Sequence, residues 1–251
     1  NAYGSPEIIG LRAHLTPPPE PLGAAPMEDN ETNTSMSLPT RLLKVFLSPG
    51  EVFESIKKEP SWFGALAVGG VLVSLSILLV PAEIWVQTMR EQAAQQGREM
   101  PAFMASAGPA FRLASVVSAA IFWFIWAFIM AGVVTLVFSF LFGDEGRYSQ
   151  YLSVVSHSLF IGAVGAVLLV PLKIVQGDPG LTLNVGTFLP FLREGYAFRV
   201  LKLLDLFGLW GYAVMALGVT KIDPRRGMGL ALSFFWGFAV VFALAFGVFG
   251  G

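Results

Sequence analysis

The side chains in this 251-residue sequence with the strongest claim to chemistry are His157, within Ser156-His157-Ser158, and Asp205, within Leu203-Leu204-Asp205-Leu206-Phe207. Both lie inside long apolar runs, where an ionisable group is costly unless it finds a partner. An imidazole there can make an interhelical hydrogen bond or ligate the metal of a haem or chlorophyll-type pigment. A carboxylate can pair with a cation or a hydroxyl, or take part in proton or ion passage. Lys202, three residues before Asp205, falls on the same helical face and can reach it. Catalysis asks for more, namely a nucleophile with a base, a metal constellation or paired carboxylates. The second histidine, His14, sits in a proline-rich segment far from the first, and the chain has no cysteine. Ser156 and His157 do not make a catalytic pair, because adjacent helix positions point about 100° apart. No HExxH, GxSxG, Walker or GxGxxG pattern is present. The expectation is a protein without catalytic residues, resident metal or cofactor, with bound lipids instead.

The composition says what surrounds these residues. Apolar residues make up 55% of the chain before its 27 glycines are counted, and charged residues 13%. Soluble domains carry roughly 25% charged residues. With 22 Phe and 6 Trp and a mean hydropathy of +0.67, the solvent is lipid, and disorder, collagen and coiled coil are excluded. A net charge of −1 gives no basic surface for nucleic acid.

Five apolar runs are long enough to cross a hydrocarbon core: 62–80, 113–142, 150–172, 203–219, which is the shortest, and 227–249. Backbone groups in lipid must be satisfied within the segment, so these runs are helices. Asp205 is the one formally charged residue among them. The fold class expected is all-α, a polytopic membrane protein whose five-helix domain occupies 62–251. Residues 1–40 hold seven of the sixteen prolines and a polar run from Glu28 to Ser35, and so read as an extended, low-complexity segment.

Residues 41–61 carry the clearest local signal. Ser48, Pro49 and Glu51 have the spacing of an N-cap, a first helical position and the third helical position of a capping box. Leu47 and Val52 are placed to close a hydrophobic staple. The helix that follows gathers Val52, Phe53 and Ile56 on one face, and Pro60 ends it. Arg41 to Glu59 therefore reads as two short amphipathic helices, lying in the membrane interface or packed on the bundle.

Small residues suggest how the spans meet. Ala65 with Gly69, Gly70 with Ser74, Ser115 with Ala119, and Gly162 with Ala166 each put two small side chains on one helix face. In the fifth run Phe234, Phe235, Trp236, Phe238 and Phe242 surround the helix, as lipid contact or docking to another subunit would require. Segments 41–61, 143–149 and 220–226 hold eight basic residues in 35 positions, against seven in 62 for segments 81–112 and 173–202. That asymmetry places the N-terminus in the cytoplasm and the C-terminus outside.

Two motifs carry a resemblance. Ser48-Pro49-Gly50-Glu51-Val52-Phe53-Glu54-Ser55-Ile56 before the first run, and Leu203-Leu204-Asp205-Leu206-Phe207-Gly208-Leu209-Trp210 opening the fourth, resemble the bacterial branch of the Yip (Ypt-interacting protein) domain family. Asp205 and Trp210 occupy its Asp-Leu-Phe-x-Leu-Trp signature. The five-span layout and the short turn Phe142-Gly143-Asp144-Glu145-Gly146 are similar, over about residues 36–249, which makes the first 35 residues an addition to the family pattern. The resemblance implies a non-enzymatic protein. Eukaryotic members bind small GTPases and shape or sort membranes, and some bacterial members accompany export systems of the ABC type. The expected role is an accessory or scaffold subunit in a bacterial inner membrane. It would contact lipids and other membrane subunits through residues 1–40 and its outer helix faces. The competing readings are a transport or channel subunit with its own polar pathway, and a pigment- or haem-associated subunit using His157.

Overall fold

The computed structural model describes Ala2 and residues 36–101, 108–189, 191–192 and 194–248. The chain divides into two compact units, Asn1–Thr34 and Ser35–Gly251. Apart from Ala2 the first unit lies outside the described residues, and with it the expectation of an extended proline-rich head.

The second unit is helical. Helix α1 (Leu38–Leu47) begins three residues before the expected boundary at 41, because Pro39 falls in the first turn, where a missing N–H breaks no intrahelical bond. Helix α2 (Pro49–Lys58) starts at the expected proline. Then come α3 (Phe63–Leu79) and α4 (Ala82–Gln95), which meet at an 80° bend after Pro81. Helix α5 (Gly108–Thr135) continues into a π-helical segment, Leu136–Leu141. Helix α6 (Tyr148–Leu168) is followed after a break by α7 (Val170–Gln176), since Pro171 cannot continue the ladder. A short 3₁₀ turn (Val185–Phe188), α8 (Gly195–Lys202), α9 (Leu206–Ile222) and α10 (Met228–Phe246) complete the order.

Three helices, Arg112–Leu141, Tyr148–Leu168 and Met228–Phe246, are long and apolar enough to cross a membrane, and the bent pair α3–α4 is a fourth if counted as one span. Helix α9 is apolar but has 17 residues, a length of about 25 Å.

The contacts between these helices run antiparallel. Between α3 and α5, Trp62 meets Phe128 with ring centroids 5.6 Å apart, and at the far end Arg112 donates to the carbonyl of Leu78 at 2.5 Å. Between α6 and α9, partners climb one helix as they descend the other: Gly218 lies against Val154, Gly211 against Ser158 and Gly165 against Phe207. Trp126 meets Phe242 and Phe138 meets Phe235 between α5 and α10. Tyr212 stacks on Phe235 between α9 and α10. Helices α3, α5, α6, α9 and α10 therefore alternate in direction.

Helix α6 is the axis, with 67% of its most apolar window buried, against 28% for α5 and 22% for α10. Tyr151, Val154, Val155 and Ile161 on it are fully enclosed. On α3 a Cβ on Gly69 would come within 2.7 Å of Trp123, whose indole N–H donates to the Leu66 carbonyl at 3.0 Å. Ala65 beside it is fully buried, Ser74 half-buried. The small-residue expectation fails for Gly162 and Ala166. A Cβ on Gly162 meets open space, and the close approach falls on Gly165, where a Cβ would lie 2.4 Å from the Phe207 ring. Ser115 and Ala119 are half-buried on α5. The aromatic residues of α10 do not all face outward either. Phe235 is fully enclosed, and Phe234 packs on Phe138 at 5.3 Å, while Trp236 stays 46% exposed.

Candidate functional site

The short helices before α3 place the first group of polar side chains. Val52, Phe53 and Ile56 are all fully buried, and α2 packs against α6 and α9. The capping box does not form. Ser48 is the N-cap but its side chain makes no cap bond. The Glu51 carboxylate instead pairs with Lys44 at 2.5 Å, and that ammonium holds its carboxyl below the ordinary value. A charged partner seven residues back, in the last turn of α1, outcompetes a backbone N–H. The staple fails as well, since Leu47 is 72% exposed while Val52 turns into the core.

On the same helix α1, Arg41 and Val45 form the inward face between the half-buried Leu38 and Leu42. Arg41 is 6% exposed, its Nε has no hydrogen-bond partner, and no carboxylate pairs with it among the described residues. Helix α1 packs against α6, the helix that carries His157. His157 is fully enclosed, and its Nδ1 lies 2.8 Å from the carbonyl of Ser153, one turn back. The interhelical bond expected of His157 is therefore an intrahelical one. A carbonyl can only accept, so Nδ1 carries the proton and Nε2 presents a lone pair, and Nε2 has no partner. Neither does the buried hydroxyl of Ser158. Phe46 of α1 closes the seam, edge-on to Phe160 at 6.0 Å and to Trp210 at 5.5 Å. Trp210, a signature position, thus ties α1 to α9 while staying 42% exposed.

Asp205, the other signature position, does not pair with Lys202. It is the N-cap of α9, with Oδ1 accepting the Gly208 N–H at 2.9 Å. Its backbone also pairs with Asn184 in an isolated antiparallel bridge. The spacing Asp205-x-x-Gly208 was a legible capping signal. Asp205, Lys173, Thr182, Gly162, Ala166 and Phe207 share the lining of a cavity of about 100 Å3 between α6, α7 and α9. Burial pushes the Lys173 ammonium below its ordinary value, with Asp178 and Asp205 acting against that shift.

A third group lies at the opposite end of α6 and α9 from Asp205, where two short connections meet. Asp223 accepts from Arg225 Nε at 2.9 and 3.0 Å and from the Glu145 N–H at 3.1 Å. Arg225 also reaches the Gly143 carbonyl at 3.2 Å. Arg226 pairs with Asp144 at 2.5 Å, donates to the Phe142 carbonyl and lies 5.4 Å over the Phe142 ring. Asp144 and Asp223 are 6% and 4% exposed. The Arg225 guanidinium holds the Asp223 carboxyl well below the usual carboxylate range. Lys221 pairs with Glu54 of α2 at 3.0 Å at the same end. Sequence reasoning counted these cations for orientation and missed their pairing, in which Arg226 reaches Asp144 across 82 positions and Lys221 reaches Glu54 across 167. The legible hint was two acidic and basic turns placed on one side by the alternation of spans.

Among the described residues no three His, Cys, Asp or Glu side chains are grouped to hold a metal ion. Charged groups pair with one another, Asp205 caps a helix, Arg112 and Arg199 donate to backbone carbonyls, and Arg41 has no carboxylate partner among the described residues.

A family model described as the Yip1 domain matches residues 43–250. No curated protein and no solved structure matches the chain.

Proposed function

The chain belongs to the Yip1 domain family and is an integral membrane protein, and on that premise we propose that it is a non-catalytic accessory or scaffold subunit of a larger membrane assembly serving export, trafficking or membrane organisation. The observation that carries this reading is the use made of polar groups. The axis α6 is packed with Tyr151, Val154, Val155 and Ile161, and its enclosed Ser153, Ser156 and His157 turn back to carbonyls of their own helix. The paired charges gather where connections must be tied together. A channel or transporter needs a polar path near the midplane, and Ser153, Ser156 and His157 of α6 are fully enclosed in packing.

In this reading the five alternating helices each cross the bilayer, with α3 and α9 drawing on flanking residues or a locally thin bilayer to make up their length. Helices α1 and α2 then share the cytoplasmic side with the two arginine-bearing turns, and the C-terminus is outside, in a bacterial inner membrane. Partners are membrane lipids and other membrane subunits, met through residues 1–40 and the outer faces of α5 and α10. Those faces expose Phe122, Ile125 and Ile129 on α5 and Val241 and Leu244 on α10.

The test is purification of the full chain in mild detergent, with identification of what accompanies it. Stoichiometric membrane subunits are expected. A protein that runs alone as a monomer overturns the scaffold reading.

A further inference from the structure

Lys173 on α7 and Asp205 at the start of α9 carry opposite charges and line one cavity of about 100 Å3, yet they form no ion pair with each other. Among the described residues the half-buried Lys173 ammonium has no hydrogen-bond or ion-pair partner. Asp178, the other carboxylate on that connection, turns to the Gly180 N–H at 2.8 Å. Asp205 accepts the Gly208 N–H through Oδ1 at 2.9 Å, and a carboxylate has about four acceptor sites, so capacity is left. In the same lining Thr182 Oγ1 accepts from the Asn184 amide at 3.0 Å, which leaves its O–H to donate. The cavity is well above the ~10–15 Å3 that one water needs. An anion alone would face Asp205 there, and a cation alone would face Lys173. The complementary group carries both signs.

The place of the cavity says what brings such a group. It lies where α6 gives way to α7 and where α9 begins, at the ends of two helices of the membrane domain. Gly162, Ala166 and Phe207 form apolar walls, and the space beside Gly162 is open. Leu168 on α6 is 63% exposed, and around Lys173 on α7 Leu172 is 42% and Val175 80% exposed. Such a surface is stable against hydrocarbon, so a group of both signs at this depth arrives as the headgroup of a lipid. A primary ammonium gives N–H donors to a carboxylate, and a phosphate accepts from an ammonium and a hydroxyl, in charge-assisted bonds. A quaternary ammonium has no N–H to give.

We infer that the cavity between α6, α7 and α9 holds the headgroup of a zwitterionic phospholipid of the phosphatidylethanolamine type, its primary ammonium bonded to Asp205 and its phosphate to Lys173 and Thr182. The acyl chains leave along Gly162 and Ala166. The site rests on the membrane placement argued above and needs no partner subunit. It gives Asp205 a second duty beside capping α9, and it ties the connection that carries Thr182 to the bundle through a lipid.

The test uses the full chain in a non-ionic detergent, titrated with phosphatidylethanolamine, phosphatidylcholine, phosphatidylglycerol or glycerophosphoethanolamine, which is the headgroup without acyl chains. Thermal unfolding and native mass spectrometry are the readouts. Phosphatidylethanolamine is expected to bind as a discrete adduct and raise the unfolding midpoint. Phosphatidylcholine, without an N–H, and phosphatidylglycerol, without an ammonium, do so more weakly, and glycerophosphoethanolamine does neither. Asp205→Asn keeps a capping side chain and reduces the preference for phosphatidylethanolamine over phosphatidylglycerol about tenfold, a change readable in either measurement. Lys173→Gln weakens the binding of all three lipids. Gly162→Leu, which places a side chain in the open space at the cavity wall, removes the adduct with both charges still present.

Equal binding of phosphatidylcholine or phosphatidylglycerol, or an undiminished preference in Asp205→Asn, overturns the proposal. Displacement of the lipid by glycerophosphoethanolamine at equal concentration overturns the lipid as its source, and a full adduct in Gly162→Leu overturns this cavity as its place. If the variants do not fold, the lipid series on the natural chain decides alone. A lone monomer that keeps its phosphatidylethanolamine adduct refutes the scaffold reading and leaves this one standing.

Discussion

The Arg226 guanidinium sits 2.5 Å from the Asp144 carboxylate and joins two connections that lie 82 residues apart in sequence. The Asp144 side chain is fully enclosed and that of Arg226 is 25% exposed, so the pair is shielded from the water that makes surface ion pairs weak. With the neighbouring Asp223–Arg225 pair it fixes the end of α5 against the start of α10.

Removing one partner leaves the other charge buried. Arg226→Ala is expected to destabilise the protein by about 3 kcal/mol, measured as a shift in chemical unfolding in detergent. The double variant Asp144→Asn/Arg226→Gln recovers most of that loss, because no ion is left uncompensated. A double variant no better than the single one shows that the pair does not act as a unit.

The second pair gives the stability an acid dependence. The Asp223 carboxyl is held below the ordinary carboxylate value, with its hydrogen bond to Arg225 the largest cause. Its folded pKa is thus lower than its unfolded one, near 3.9. The stability it contributes is full above roughly pH 5 and is lost as pH falls through the folded value. Unfolding measured from pH 7 down to pH 3 should steepen on the acid side in the natural chain. Asp223→Asn should flatten that slope and lower stability at neutral pH.

The two glycines at neighbouring turns of α6 should behave differently. A Cβ at Gly165 collides with the Phe207 ring at 2.4 Å, whereas one at Gly162 meets nothing. Gly165→Ala is expected to cost about 1–3 kcal/mol through overpacking. Gly162→Ala should be neutral or slightly stabilising, because alanine is the better helix former. Equal effects would show that α6 and α9 do not pack at that register.

The chain has no cysteine, so single introduced thiols report sidedness against a silent background. Glu145→Cys, 88% exposed at its side chain, and Lys58→Cys are expected to react with a membrane-impermeant reagent from the cytoplasmic side only. Glu194→Cys should react from the opposite side only. Labelling of Glu145 and Glu194 from the same side would break the alternation of α6 and α9 across the bilayer.

Much of the fold was legible because it follows from short-range rules. Pro49 after Ser48 starts α2, Pro60 ends its register, and Val52, Phe53 and Ile56 share a face by periodicity alone. The site was legible only in part. Asp205 and Trp210 stood out, yet their roles differ from those expected. Asp205 caps its own helix at Gly208 instead of pairing with Lys202, and Trp210 meets Phe46, a residue 164 positions earlier. His157 was legible as a polar residue needing a partner, but not that its partner is the Ser153 carbonyl.

By itself the sequence determined the material of this protein: apolar runs that must be helices in lipid, because the backbone has no other way to satisfy its polar groups there. It also determined where helices begin and end, since caps and prolines act within a few residues. Tertiary structure alone decided which glycine is crossed by which ring and which arginines meet a carboxylate. Arg41, Arg225 and Arg226 look alike in sequence, each a cation near a membrane helix. Arg226 meets Asp144 from 82 positions away, Arg225 meets its near neighbour Asp223 together with Glu145 of the other connection, and Arg41 is buried with no carboxylate to meet it among the described residues. A charge in a low dielectric is governed by what lies within a few ångströms of it, and that neighbourhood exists only after the helices have packed.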